Sequence, residues 1–292
     1  MGKSLMAKIV SFYFKLQPKY TDAQWKEQME KQKTERELTP PAPKGVPYRL
    51  EETPSGKIFY LNENSASNLT VLYLHGGAYV HEFSRFHWIF LKKVLQKTDA
   101  EIIAPDYRLA PHATYRETYD RLVPFYREYR EKHPERKLIL MGDSAGGGLA
   151  LAFAEFFKKE GLPLPDELIL FSPWVDVSMN NPLIPEAEKR DPWITASFRV
   201  AGSYWAGDAG VEDPRISPIF GDMTGLKNVT VFWGTEEVLR PDMLLLKEKL
   251  EAEPSNELIE KPGMNHVYPI LPIPEAKEAI ETVCRKIQRS GE

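Results

Sequence analysis

The sequence has a single cysteine, Cys284, in 292 residues, so no internal disulfide can hold it together. Its stability must come from a buried core, and one unpaired thiol fits a reducing, cytoplasmic setting. Long hydrophobic runs are also missing. The apolar stretch Ile9-Val10-Ser11-Phe12-Tyr13-Phe14 is closed by Lys8 and Lys15, too early for a transmembrane helix. No small-residue cleavage site follows it, and Met-Gly-Lys-Ser-Leu-Met departs from the myristoylation pattern at Met6. No stable membrane anchor is therefore expected. The stretch reads as an amphipathic helix with an apolar side for a partner surface, first the rest of the protein and second a membrane. Excess positive charge is absent too: the formal net charge of −4 offers no general pull toward nucleic acid. Internal repeats and low-complexity tracts are not found.

What remains is ordinary globular composition, with 42% hydrophobic and 27% charged residues. Residues 17–47 are polar and end in the proline-rich connector Thr39-Pro40-Pro41-Ala42-Pro43-Lys44-Gly45-Val46-Pro47. Two short strands, Tyr48–Glu52 and Lys57–Leu61, are expected about a turn at Pro54-Ser55-Gly56. Strand-like runs then recur at Thr70–Leu74, Glu101–Pro105, Lys137–Met141, Leu168–Phe171, Val229–Trp233 and Glu257–Glu260. Helical stretches at Trp88–Lys97, Tyr115–Lys132, Gly147–Lys159, Pro241–Ala252 and Pro274–Arg289 separate several of them. Such alternation predicts an α/β fold: a mostly parallel sheet with helices on both faces, in one domain. The stretch from Asn180 to about Asp213 breaks the rhythm and carries Trp193, Phe198, Tyr204 and Trp205. Insertions of this kind sit over the ends of the strands, where ligands bind.

The chemistry is concentrated at Leu138–Ala150, where an apolar run meets Gly142-Asp143-Ser144-Ala145-Gly146 and a helical stretch follows. A strand turning sharply into a helix exposes the central hydroxyl above the sheet. Small residues on either side permit the turn, making Ser144 the candidate nucleophile. Neither the dinucleotide pattern nor the P-loop pattern is satisfied here.

A serine needs a positioned base. In this arrangement the order along the chain is Ser, acid, His, and of the six histidines only His266 lies beyond Ser144. The acid belongs after a late strand. Val229–Trp233 is followed by Gly234-Thr235-Glu236-Glu237-Val238-Leu239-Arg240-Pro241-Asp242. Asp242 suits the first turn of a helix starting at Pro241, a structural role. Glu236 and Glu237 remain, and spacing does not separate them. An oxyanion hole is expected from His75-Gly76-Gly77-Ala78 at the end of another strand, together with the N–H of Ala145. Gly76, Gly77, Ala78 and Ala145 are its candidate residues, with His75 bracing the loop. No metal site is expected. His81-Glu82-Phe83-Ser84-Arg85 opens like a zinc-binding helix, but Arg85 stands where a second histidine is needed, and His81 and His87 read as loop or surface residues.

These stretches resemble the hormone-sensitive lipase-like esterases of the α/β-hydrolase superfamily. The resemblance is carried by His75-Gly76-Gly77-Ala78, Asp106-Tyr107-Arg108-Leu109-Ala110-Pro111, Gly142-Asp143-Ser144-Ala145-Gly146-Gly147, Ser172-Pro173-Trp174-Val175-Asp176 and Gly263-Met264-Asn265-His266, in the family's order. It implies hydrolysis of carboxylic esters of short or medium acyl length, without a cofactor. It also implies a helical cap from about residues 1–40 and 180–213. The family's acid stretch is matched by Glu237-Val238-Leu239, which favours Glu237. Two positions depart from the family: Ala78 replaces a glycine, and glutamate replaces the usual aspartate.

The expected function is thus a serine carboxylesterase with a Ser144, His266 and Glu237 triad working through an acyl-enzyme. The same triad would serve an amide, lactone or N-acetyl hydrolase. A non-catalytic small-molecule receptor on the same fold is the alternative from another class, and the retained His266 speaks against it; a membrane-attached lipase, resting only on the Ile9–Leu16 stripe, is a third reading. The expected partner is a small-molecule ester, not nucleic acid, and a homodimer is left open.

Overall fold

The computed structural model describes residues 2–35, 40–53 and 56–291. Pro54 and Ser55 of the expected turn and Thr39 of the proline-rich connector lie outside them. In chain order the elements are α1 (Leu5–Lys15), α2 (Asp22–Gln32), β1 (Tyr48–Thr53), β2 (Gly56–Leu61), β3 (Leu69–Leu74), α3 (Arg85–Thr98), β4 (Glu101–Tyr107), α4 (Tyr115–Lys132) and β5 (Lys137–Asp143). They continue with α5 (Ser144–Lys159), β6 (Glu167–Phe171), α6 (Ile184–Glu188), α7 (Arg199–Ala206), β7 (Val229–Gly234), α8 (Arg240–Leu250), β8 (Glu257–Lys261) and α9 (Ala276–Ser290).

The strands form one sheet in the order β1-β2-β4-β3-β5-β6-β7-β8. Pairing is antiparallel for β1 with β2 and for β2 with β4, and parallel from β4 to β8. The central strands are buried on both faces, as a parallel sheet covered by crossover helices requires. Their period-2 alternation divides the core in two. Leu72, Leu74, Leu138, Leu140, Leu168 and Leu170 face one layer with α4 and α5, through Tyr126, Leu149 and Phe153. Val71, Tyr73, Ile139, Met141, Ile169 and Phe171 face the other with α3 and α9, through Leu91, Val94, Val283 and Ile287. Each such side chain contributes about 1.5–3 kcal/mol over its exposed state, and this replaces the covalent staples the chain lacks. Cys284 is buried on the inner face of α9, where burial pushes its thiol up to about 11.

The strand order turns back at β3, whose neighbours are β4 on one side and β5 on the other. Loops leaving the carboxyl ends of β3 and β5 therefore diverge from a common crevice, the usual ligand position in such sheets. The segment around residues 180–213 and the first two helices meet nearby. Phe14 of α1 stacks on Trp193 with ring centroids 4.3 Å apart. Trp25 of α2 lies 5.0 Å from the Phe198 ring, and the Ser197 hydroxyl donates to the Tyr20 carbonyl at 2.7 Å.

The expectation that α1 packs its apolar side on the protein holds for half of the helix. Ala7, Ser11 and Phe14 are buried, whereas Leu5, Ile9, Phe12 and Leu16 are exposed. At about 100° per residue these two sets lie on opposite sides, so the helix carries a second apolar stripe facing out.

At the junction of β5 and α5 the backbones approach so closely that a Cβ on Gly146 would lie 2.2 Å from the Leu74 carbonyl oxygen and 2.4 Å from that of His75. Backbone cannot rotate away as a side chain can. Gly146→Ala is expected to cost about 1–3 kcal/mol or more, read as a lower urea midpoint at an unchanged slope.

Candidate active site

Ser144 begins α5 directly after β5, with φ of +50°, a left-handed conformation that is strained for a residue bearing Cβ. Such strain costs about 1–3 kcal/mol and persists only where the surroundings impose it. Here a Cβ on Gly142 would meet the Gly146 carbonyl at 2.4 Å, and the Ser144 carbonyl accepts from Trp174 N–H at 2.8 Å. The turn leaves Ser144 partly exposed, while Gly142, Asp143, Ala145 and Gly146 are buried.

His266 comes from the loop after β8, and its Nε2 lies 2.9 Å from Ser144 Oγ. Its Nδ1 lies 3.3 Å from Glu237 Oε2, in the loop after β7. Those two loops are tied together by Glu236 N–H donating to the Met264 carbonyl at 2.9 Å and Thr235 N–H donating to Lys261 at 3.2 Å. Glu237 is fully buried, and burial pushes its carboxyl above the usual range. His266 and the Ser172 hydroxyl oppose that shift by favouring the ionised form. Glu236 points elsewhere, into an ion pair with Lys3 of the N-terminal segment. Asp242 sits in the first turn of α8 and accepts from Asn181 Nδ2 at 2.8 Å.

Of the four expected oxyanion residues, Gly76 departs from its assignment as a donor. Its N–H is spent on Asp143 Oδ1 at 2.9 Å, because this loop is clamped to the elbow by that buried carboxylate. Gly77 and Ala78 line the same cavity as Ser144 and His266. Ala145 N–H belongs to the first turn of α5, where N–H groups have no helical acceptor. His75 braces the loop, with Nδ1 2.8 Å from the Gly76 carbonyl oxygen and its ring stacked on Tyr107 at 4.4 Å. Burial lowers its imidazole to about 3, so it is neutral.

His87 is not a surface residue. It is buried on α3, with Nδ1 accepting from Ser84 N–H at 2.8 Å and Nε2 3.2 Å from Asp143 Oδ2. The expected helix begins at Trp88, one residue too late to show that His87 falls on the inner face of a helix with Leu91 and Val94. Asp143 itself was invisible as a functional element in the motif. It joins Tyr73 Oη (2.6 Å), Gly76 N–H and His87, linking β3, the loop after it and α3 to the elbow. Burial alone would raise its carboxyl. Attraction and hydrogen bonding from His87, with the Tyr73 hydroxyl and Gly76 N–H, outweigh that and hold it below its ordinary value. Asp191 was also unmarked in the sequence. Its buried carboxylate accepts from Val238 N–H at 2.8 Å and Trp193 N–H at 2.7 Å, joining the segment around 180–213 to the Glu237 loop.

The cavity above Ser144 has a volume of about 310 Å³ and is walled mainly by apolar side chains, including Phe14, Trp193, Phe198 and Leu271. Among the described residues no group of three or more His, Cys, Asp or Glu side chains could hold a metal ion.

A parallel sheet of this order, with a serine on the strand–helix elbow and a histidine beyond the last strand, defines an α/β hydrolase. Residues 71–270 match the family described as the alpha/beta hydrolase fold. An acetyl-hydrolase of Streptomyces hygroscopicus is 32% identical over 219 residues, 73% of each chain. An esterase of Acinetobacter venetianus is 32% identical over 190 residues, which cover 64% of this chain and 62% of that protein, just under two thirds of its length. A hormone-sensitive lipase from a metagenome library, known as a crystal structure, superposes with a TM-score of 0.81 at 25% identity, with 100% of both chains covered. The chain belongs to the hormone-sensitive lipase-like esterases of the α/β-hydrolase superfamily.

Removing the clamp tests its weight. Asp143→Ala leaves Gly76 N–H, Tyr73 Oη and His87 without their buried acceptor and is expected to cost about 3–5 kcal/mol at pH 7 in urea unfolding. The folded carboxyl titrates below its ordinary value of 3.8, so its contribution is complete above that value and is lost as pH falls through the folded one. The gap between the two proteins should therefore narrow below about pH 4.

Proposed function

We propose that the protein hydrolyses short- to medium-chain carboxylic esters through an acyl-enzyme on Ser144, with His266 as base and Glu237 as the acid that orients it. That it is an enzyme of the ester hydrolase class follows from its family; the triad and the substrate range are the finer reading. The observation that carries it is the unbroken hydrogen-bond chain from Ser144 Oγ through both His266 nitrogens to the buried Glu237 carboxylate.

In this reading Ser144 Oγ attacks the acyl carbon as its proton passes to His266 Nε2. The carbonyl oxygen becomes an oxyanion held by the N–H groups of Gly77, Ala78 and Ala145, each worth about 2.7–4 kcal/mol of transition-state stabilisation. Gly76 shapes the loop rather than donating. The ester C–O bond then breaks, and His266 returns its proton to the departing alkoxide. Water attacks the acyl-enzyme, gives its proton to His266, and the acid leaves as Ser144 recovers its hydrogen. Glu237 accepts Nδ1–H throughout and stabilises the imidazolium. Its longer side chain compared with aspartate suits the 3.3 Å approach from a neighbouring loop.

Residues 2–35, with the segment at 180–213, act as a cap. Phe14, Trp193 and Phe198 give the cavity an apolar wall, and about 310 Å³ is at the small end of ligand sites, suited to a short acyl chain with its alcohol. The named activity of the acetyl-hydrolase relative places acetyl esters first in any substrate series.

A p-nitrophenyl ester series from acetate to palmitate tests the reading. Rates are expected to peak among the shorter esters and fall toward palmitate, and Ser144→Ala should lose at least about 10⁴-fold in kcat/KM. Full activity in Ser144→Ala would overturn the mechanism, and a palmitate optimum would overturn the substrate range.

The acid is tested separately. Glu237→Gln is expected to lower kcat about 10³–10⁴-fold, while Glu236→Gln stays within a few-fold. A reversed pattern moves the role to Glu236. The Glu237 carboxyl is raised in the folded state, so its ionised form weakens the fold as pH rises above the ordinary 4.5. Glu237→Gln should accordingly be at least as stable as the parent at neutral pH in thermal melts.

A further inference from the structure

We propose that α1 is an interfacial helix whose outer face docks reversibly on an anionic lipid surface, placing the mouth of the cavity against the bilayer so that lipid-dissolved esters enter from it. The lipid source of substrate rests on the esterase reading above; the docking does not.

The outer face is unlike that of a helix packed on one side. Leu5, Ile9, Phe12 and Leu16 follow the i, i+4, i+7, i+11 spacing and are 75%, 52%, 62% and 66% exposed. They lie opposite the buried stripe of Ala7, Ser11 and Phe14. A surface helix normally turns polar residues outward, and one that is apolar on both sides has a second apolar medium to face. Other exposed large apolar residues, such as Ile89, Phe220 and Leu245, come one to an element and need no such account.

Charge identifies the medium. Residues 2–20 contain Lys3, Lys8, Lys15 and Lys19 and no aspartate or glutamate, in a chain whose net charge is −4, and with Lys3 paired to Glu236 the outward charge is that of Lys8, Lys15 and Lys19. Lys8 and Lys15 are exposed, one turn-pair apart along one flank of the apolar stripe. Apolar residues flanked by lysine fit the boundary between acyl chains and anionic headgroups. No described helix is long and apolar enough to cross a membrane.

Position connects this helix to the chemistry. Tyr13, Phe14 and Gln17, from α1 and the turn after it, line the cavity that holds Ser144 and His266. The helix is fixed to the body beneath it: Asn265 Nδ2, beside His266, donates to Ser11 Oγ at 2.6 Å. Ser4 N–H donates to Glu275 Oε1 at 2.6 Å. A surface that holds α1 thereby holds the part of the cavity wall that α1 supplies.

The test is flotation of the full chain with vesicles of phosphatidylcholine alone or with phosphatidylglycerol, using the Ser144→Ala protein so that no lipid is consumed. Binding is expected on the anionic vesicles, at least about tenfold weaker on the neutral ones, and weakened by salt. Phe12→Glu/Leu16→Glu should abolish it, and Lys8→Glu/Lys15→Glu should lower it at least about tenfold. Phe12→Ser/Leu16→Ser and circular dichroism melts guard against a folding defect. With Ser144 restored, these outer-face variants should hydrolyse p-nitrophenyl acetate at the parent rate. Failure of the parent to float, or equal floating of the variants, overturns the proposal. So does a dimer in light scattering that Phe12→Glu/Leu16→Glu disperses, since the face would then belong to a second copy. Flotation without Ser144-dependent hydrolysis would instead overturn the esterase mechanism and leave the docking intact.

Discussion

The buried carboxylate of Asp143 is the contact on which the geometry of the site depends. It belongs to the last residue of β5, directly before the serine, and its partners come from β3, the loop after β3, and α3. A charge at that depth is stable only with such partners, because each unpaired donor or acceptor would carry its full desolvation cost. The same contact brings the glycine loop after β3 against the elbow. There is no room between them for a side chain: a Cβ on Gly76 would lie 2.3 Å from Asp143 Oδ2. Glycine here is a packing requirement as well as a backbone one.

The site holds two further costs that its surroundings offset. Ser144 adopts a left-handed backbone, and Glu237 is fully buried with its carboxyl raised. Neither favours folding. Both suit the chemistry proposed, which needs an exposed hydroxyl and an imidazole held in one tautomer by an acid shielded from water. The two apolar layers on the faces of the sheet supply the stability that makes this arrangement tolerable.

Much of this was legible in the residues. Strands of the parallel sheet stood out because burial on both faces leaves continuous apolar runs, and helices because each shows one apolar side. His266 was recoverable from chain order alone, since Ser144 precedes only one histidine. The acid was not. Glu236 and Glu237 are the same residue type at adjacent positions, and successive side chains in a loop point in different directions. One meets Lys3 and the other His266. His87 was misjudged for a related reason: a polar residue on the inner face of a helix looks like a surface residue until its buried acceptor is known. Gly76 carried a donor whose acceptor, Asp143, is distant in sequence.

The N-terminal helix marks the same boundary. Its composition established an amphipathic segment with lysines and no acids, but period alone could not tell which apolar stripe would meet the protein. Packing chose Ala7, Ser11 and Phe14 and left Leu5, Ile9, Phe12 and Leu16 outside. By itself the sequence determined the fold class, the family, the elbow serine and its histidine, because local pattern and chain order suffice for those. Tertiary structure decided which loop N–H is taken by Asp143 and which apolar face stays exposed, and it brought to the histidine the glutamate that spacing had left open. Those are matters of direction in space, set by contacts between residues far apart in the chain.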